Sequence, residues 1–281
     1  MTAMTSTEEK YEKLKQFIRE KGQNGVVVAF SGGIDSSALA AVAHAVLGDR
    51  AVAVTAKSPT YPAEELKDAK RVAEEIGITL QIIETNELTN ENFATNPLNR
   101  CYYCKKELMA KLLDVAFKMG FQAVFEGTNS SDLTQHRPGF RAVQELENVY
   151  SPWAECGFTK QEIRGLAKQL GLSVHGKPAM ACLASRIPFH ERITAEKLRR
   201  VEQAEQAVRE VTGLVQLRVR DHNGLARIEV PKEERSRLCN AAVLDEVACR
   251  LKALGFRYVT VDAEGYLSGS MMLTAEPEEK E

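Results

Sequence analysis

Residues 26–37 constrain this chain more than any other stretch. An apolar run, Val26-Val27-Val28-Ala29-Phe30, passes directly into Ser31-Gly32-Gly33-Ile34-Asp35-Ser36-Ser37, and a helix-forming segment follows at once. A Val-rich run without polar alternation reads as a strand covered on both faces. A strand that turns straight into a helix is one half of the βα unit from which parallel sheets are wound. The turn itself suits an anion. Gly32 and Gly33 let the backbone approach closely, the next helix offers unpaired N–H groups and a positive dipole end, and the hydroxyls of Ser31, Ser36 and Ser37 add donors. The spacing matches neither Gly-x-x-x-x-Gly-Lys-Ser/Thr nor Gly-x-Gly-x-x-Gly. A nucleotide phosphate is still the expected ligand, with ATP as the nucleotide. A turn of small residues that binds nothing would leave Asp35 and the serine hydroxyls without a task.

Residues 25–190 continue the alternation. Strands are expected over 25–30, 51–56, 79–84 and 122–126, with helices over 36–47, 63–76 and 102–119. This pattern predicts an α/β fold with a doubly wound parallel sheet, whose ligands sit at the carboxyl ends of the strands. Thr159-Lys160-Gln161-Glu162 reads as a capping box opening a further helix that stops at Gly171. Past residue 190 the pattern changes. A long charged helix over 195–211 precedes two alternating segments, 215–220 and 225–230, and Asn223-Gly224 between them signals a hairpin. A helix over 233–254 and a strand over 258–261 complete a small α+β domain. At 281 residues and 44% hydrophobic content the chain is long enough for two domains, expected at 1–190 and 191–281. The acidic tail from about Thr274 is expected to fray. A net charge of −2 argues against bulk nucleic-acid binding. With no apolar leader in residues 1–10 and no apolar run of about 18 residues, no membrane association and a cytoplasmic location are expected.

Two further clusters carry chemistry. Glu126-Gly127-Thr128-Asn129-Ser130-Ser131-Asp132 follows a predicted strand and so falls on the same sheet edge as Ser31. There Gly127 lets the backbone approach a nucleotide and Asp132 can face Mg2+, a polar loop being the plain alternative. Lys57 and Ser58 are weaker candidates, and Lys160 and Arg164 could reach phosphate or lie on a solvated helix face. The second cluster is Cys101-Tyr102-Tyr103-Cys104, joined by Cys182. Six cysteines are too few and too scattered for a disulfide framework. Three thiolates suit a [4Fe-4S] cluster with one iron open to another ligand. Zinc completed by Cys156 or a His, and a dithiol redox pair, are the alternatives. Cys239 and Cys249 are expected as buried packing residues. Arg218 and Arg220 alternate on one strand face and could fork onto a phosphate, or lie solvated beside acids such as Asp221.

Ser-Gly-Gly-x-Asp-Ser resembles the PP-loop of ATP pyrophosphatases, which split ATP into AMP and pyrophosphate while adenylating an acceptor, and Asp35 would then help hold Mg2+. Taken in order, SGGIDSS, RCYYCKKEL, EGTNSSD, HRPGFRAVQEL, KPAMACLASRIPF, LRVRDHNGLARIEVP and GFRYVTVDAEGYLSGS resemble the LarE family of ATP-dependent sulfur transferases over nearly the whole chain. The resemblance implies a part in making the nickel-pincer nucleotide cofactor. The substrate would be pyridinium-3,5-biscarboxylic acid mononucleotide, whose carboxylates become thiocarboxylates. It also implies a homo-oligomer, and it names no sulfide donor. Some members sacrifice the sulfur of one cysteine, while others hold, on three cysteines, a [4Fe-4S] cluster that carries an extra sulfide. Cys101, Cys104 and Cys182 match the second form. Cys182 stands one residue from the sacrificial position, which Ala181 occupies. Ser185, Arg186, Glu205 and Glu229 are carried over from the resemblance and join Arg218 and Arg220 as substrate-pocket residues, and His190 stands where the family has Gly. A PP-loop tRNA thiolation enzyme with a three-cysteine cluster, and a nucleotide-gated sulfur or metal carrier without catalysis, are the competing functions.

Overall fold

A computed structural model describes residues 6–134, 138–177, 181–267 and 269–274. In chain order its elements are α1 (Ser6–Lys21), β1 (Val26–Ala29), α2 (Ile34–Leu47), β2 (Ala51–Lys57), α3 (Ala63–Ile76), β3 (Thr79–Glu84), α4 (Glu91–Ala94), α5 (Arg100–Lys118), β4 (Ala123–Phe125), α6 (Pro138–Gln144), β5 (Val149–Tyr150), α7 (Pro152–Glu155) and α8 (Lys160–Gln169). There follow α9 (Ala195–Thr212), β6 (Arg218–His222), β7 (Leu225–Glu229), α10 (Arg235–Leu238), α11 (Ala241–Ala253) and β8 (Tyr258–Val261). The acidic tail beyond Thr274, and parts of the segments around His136 and Ala179, lie outside the described residues. Among the described residues no helix is long and apolar enough to cross a membrane.

The chain divides into two compact units. The first holds Met1–Ser58, Ala63–Asn86 and Asn99–Met180; the second holds Pro59–Pro62, Glu87–Leu98 and Ala181–Glu281.

In the first unit the strands form one parallel sheet of order β3-β2-β1-β4-β5. The doubly wound fold predicted from the alternation is the fold observed. Both faces are covered, and the residues show it. Val26, Val28, Ala51, Ala53, Ala123 and Phe125 belong to one apolar core, while Val27, Val52, Val54 and Val124 belong to the other. Helix α2 lies inside the first core because its Ala-rich sequence allows close approach, with Ala38, Leu39, Ala40, Val42 and Ala43 fully buried. Strand order reverses between β1 and β4, so the crevice at their carboxyl ends is the switch point where open α/β sheets bind ligands.

The second unit carries a three-stranded sheet of order β6-β7-β8, with β6 and β7 antiparallel and β7 and β8 parallel. The predicted hairpin is present, with Asn223 and Gly224 at φ 50° and 89°, as a two-residue turn with both centres left-handed requires. Val219, Ala226 and Ile228 face a core shared with Ala204, Val208, Val247 and Leu251, so alternation places Arg218, Arg220, Arg227 and Glu229 on the opposite face.

This second unit begins ten residues before the boundary read from the sequence, and it takes in two excursions from the first half. Hydrogen bonds account for both. Leu183 N donates to Thr60 O at 2.7 Å, Ile193 N to Ala94 O at 2.8 Å, and His190 N to Asn96 O at 2.9 Å. The Asn96 side chain donates to Pro188 O at 2.6 Å. His190 has φ 66°, so the turn keeps the left-handed backbone that glycine would supply and accepts a side chain there at some strain. The single helix expected over 233–254 is instead two, because the Asn240 side chain caps α11 by accepting from Ala242 N and Val243 N.

Candidate active site

The loop after β1 is closed by its own serines. The Ser36 hydroxyl donates to Gly33 O at 3.1 Å, accepts from Ser31 N at 3.2 Å, and lies 3.1 Å from the Ser31 hydroxyl, which itself accepts from Gly33 N. Gly32, at φ 68°, passes so close to α3 that a Cβ there would come within 2.8 Å of Ala69 N. Ser37 is fully buried, and its hydroxyl has no hydrogen-bond partner among the described residues.

Helix α2 begins two residues before the predicted start, which places Asp35 in its first turn. The indole of Trp153, fully buried, donates to Asp35 O at 3.0 Å and pins that turn. The Asp35 carboxylate accepts from Asn129 Nδ2 at 3.2 Å and from Lys160 Nζ. Asn129 N donates to Asp132 Oδ2 at 3.2 Å, so one buried asparagine holds both predicted Mg2+ carboxylates. Gly127 is the contact between the two loops: a Cβ there would lie 3.2 Å from Asp35 Cβ and 3.3 Å from Ser36 N. Lys160 therefore joins the loop. Arg164 turns away to the His175 carbonyl, and Lys57 pairs with Glu84 on the exposed edge strand. Carboxylate and amide oxygens are hard donors, and this set fits a hard divalent cation.

Helix α5 also begins two residues earlier than predicted, so Cys101 and Cys104 share its first turn at i and i+3 on one face. Cys101 is exposed and Cys104 half-buried. Asn99 supplies no side-chain cap at this end of the helix. Helix α6 lies against this turn, with Gly139 close enough that a Cβ would sit 3.3 Å from Cys101 O. The next residue, Lys105, donates to Glu126 Oε2 at 2.9 Å. Burial alone would raise the Glu126 carboxyl, but Lys105 and the hydroxyls of Ser151 and Thr128 more than offset it and hold the group below its ordinary value.

The third thiol, Cys182, belongs to the second unit and precedes a short 3-10 turn, Leu183–Arg186. Arg186 organises that turn. Its Nη1 donates to Ala181 O at 2.7 Å, Cys182 O at 3.2 Å and Ser185 Oγ at 3.0 Å, while Nε and Nη2 grip both oxygens of Glu205 at 2.7 and 3.0 Å. Burial would raise Glu205, yet Arg186, Arg218 and Arg209 keep its carboxyl below the usual value. Arg220 donates to Ser185 O at 2.9 Å and to Glu229 at 2.6 Å. Arg218 lies over the Tyr266 ring at 5.2 Å, and burial together with Arg186 lowers its pKa.

The six residues expected in the substrate pocket thus lie near one another in the second unit. All but Ser185 are buried, and Arg218 and Arg220 are not a solvated strand face; Asp221 is taken by Arg200. Ser270 and Met271, from the closing segment, add contacts to Glu229 and Arg227.

Two soft thiols on one helix face fit two ligands of an iron–sulfur cluster. Among the described residues, no group of three or more His, Cys, Asp or Glu gathers to hold a metal ion. Cys156 sits in the apolar core, where burial pushes its thiol up, which disfavours the thiolate that zinc would need. Cys239 and Cys249 are exposed and are not packing residues. Cys239 caps the break between the two helices, and Cys249 lies two residues from both Val247 and Leu251, which face the core. Asn129, Trp153, Lys105 and Glu126 were not singled out from the sequence. Asn129 and Glu126 stood within a motif already read as a site loop, and Lys105 stood directly beside Cys104.

The NAD synthase family matches residues 6–119. An uncharacterized protein of Synechocystis is 44% identical over 94% of this chain and 97% of its own length. The pyridinium-3,5-bisthiocarboxylic acid mononucleotide synthase of Lactiplantibacillus plantarum is 38% identical over 88% of each chain. A tRNA-specific 2-thiouridylase of Parvibaculum lavamentivorans is 31% identical over 54% of this chain and 47% of its own.

Proposed function

The chain belongs to the LarE family of ATP-dependent sulfurtransferases, that of the pyridinium-3,5-bisthiocarboxylic acid mononucleotide synthase, and from that premise we propose that it adenylates the carboxylates of pyridinium-3,5-biscarboxylic acid mononucleotide and replaces them with thiocarboxylates. A carboxylate is a poor electrophile. Its oxygen attacks the α-phosphorus of ATP, pyrophosphate leaves, and sulfide then attacks the acyl carbon and expels AMP.

The residues of this chain bind and orient. The backbone at Gly32 and Gly33 and the N-terminus of α2 receive phosphate. Asp35 and Asp132, joined through Asn129, would hold Mg2+ against it. Lys160, paired with Asp35 at the mouth of the loop, would supply a counter-charge to the phosphates. Cys101, Cys104 and Cys182 would hold a [4Fe-4S] cluster, which supplies a soft site for sulfide when bound. Arg218 and Arg220, on the buried face of β6, would give the mononucleotide phosphate its countercharge.

The observation that carries this reading is the meeting of Asp35, Asp132 and Lys160 around Asn129 at the switch point of the sheet. The test is anaerobic turnover of iron- and sulfide-loaded protein with ATP, Mg2+ and the mononucleotide. AMP and thiocarboxylate should form in equal amounts, and the polypeptide should keep its mass. A protein lighter by one sulfur would replace the cluster by a sacrificed cysteine, and ATP left intact would sink the proposal.

A further inference from the structure

Glu126 is a node of the first unit. It is 1% exposed, and its carboxylate collects four donors from three residues: Lys105 Nζ on α5 at 2.9 Å, Thr128 N at 3.1 Å, Thr128 Oγ1 at 2.9 Å, and the Ser151 hydroxyl at the end of β5. The residue before Lys105 is Cys104, and the residue after Glu126 is Gly127, pressed against Asp35 and Ser36. A short covalent and ionic path therefore runs from the thiol-bearing turn of α5, through one ion pair, to the loop that closes around phosphate. Nothing in adenylation alone requires it. A carboxylate at that depth costs several kcal/mol to desolvate, and an apolar pair would close the end of β4 as well.

Resting on the sulfur-transfer reading above, we propose that Lys105 and Glu126 are positioning residues. Their pair fixes the Cys101–Cys104 turn against the nucleotide loop, so that sulfur is delivered where the adenylate forms. The pair touches neither ATP nor thiol chemistry directly. It acts through Cys104 on one side and Gly127 on the other. Loss of the pair leaves both halves of the site present but out of step, and the signature is a split between them and not a common decline.

Lys105→Met, Glu126→Gln and Lys105→Arg test this, with the thermal midpoint measured for each. Under turnover, sulfur transfer in Lys105→Met and Glu126→Gln falls more than AMP release, because water hydrolyses the waiting adenylate back to carboxylate and AMP, so the ratio of AMP to thiocarboxylate rises roughly tenfold. Lys105→Arg, which can still pair with Glu126, restores the ratio. A second readout needs neither cluster nor substrate: the rate at which iodoacetamide alkylates Cys101 and Cys104, with and without Mg-ATP. In the unsubstituted protein ATP changes that rate by roughly threefold or more, and in Glu126→Gln the ATP effect disappears. If sulfur transfer itself proves absent while ATP still changes alkylation through Glu126, the functional reading fails and the coupling stands. Parallel loss of AMP and thiocarboxylate tracking the thermal midpoint, or an ATP effect on alkylation that survives Glu126→Gln, overturns the coupling.

Discussion

At the carboxyl end of β1 the Lys160–Asp35 pair keeps 34% and 25% of its side-chain surface in water, while the Arg186–Glu205 pair of the second unit keeps 0% and 2%. Both join a cation to a carboxylate among candidate site residues, and solvent makes them different objects. The wetter pair is worth at most about 1 kcal/mol, so Mg2+ and a phosphate can re-partner its members at little cost. Loss of either member of the dry pair leaves a buried charge without its main partner. The first arrangement suits groups that change partners during a reaction. The second suits groups that hold a shape, here the turn that presents Cys182.

The largest expected effect would break the second half of this comparison. Arg186→Met takes from buried Glu205 its bidentate partner, leaving it Arg209 at 3.3 Å, and removes three bonds to the Cys182 turn, and should cost about 3 kcal/mol in urea unfolding. A loss below about 1 kcal/mol would mean that Arg186 is free to serve substrate and that the dry pair is not structural. Next comes Asp35→Asn, which leaves the loop folded but removes the charge offered to Mg2+. AMP formation should fall about a hundredfold while the urea midpoint moves little. A midpoint that collapses along with activity would make the two pairs alike.

The smallest effect lies in acid. Glu205 and Glu126 are both held below their ordinary value of 4.5, despite burial, by the cations beside them. An unfolded chain then binds more protons than the folded one through the acid range. Their contribution is complete above about pH 4.5 and is lost as pH falls through the lower folded value. Urea midpoints measured downward from pH 6 should therefore hold, then drop, and Glu205→Gln should drop less steeply. Equal slopes would remove the dry pair from the acid response.

Much of the fold was legible because its signals are local. A continuous Val run, a Gly-rich turn, a Thr-x-x-Glu cap and an Asn-Gly turn each act within a few residues, and all four formed as read. Helix α1 carried a readable stripe, Tyr11, Leu14, Phe17 and Ile18, although no element was predicted before residue 25. Strand β5 and helices α6 and α7 are too short for periodicity to mark them. The pairing of Lys105 with Glu126 spans 21 residues and that of Arg186 with Glu205 spans 19, and no local pattern encodes such partners. For the same reason the arginines of β6 were readable as a charged face, while their burial depended on segments folded from elsewhere in the second unit.

The excursions at 59–62 and 87–98 have a consequence for how the protein comes to be made. Each unit is assembled from three separate segments, so the chain changes unit five times before it ends. Asn96, Ala94 and Thr60 emerge from the ribosome long before Ile187, His190, Ile193 and Leu183, the residues or neighbours that receive them. At synthesis rates of about 5–20 residues per second, those early segments wait several seconds with their backbone groups solvated. The second unit cannot be born as a module, nor cut out as one.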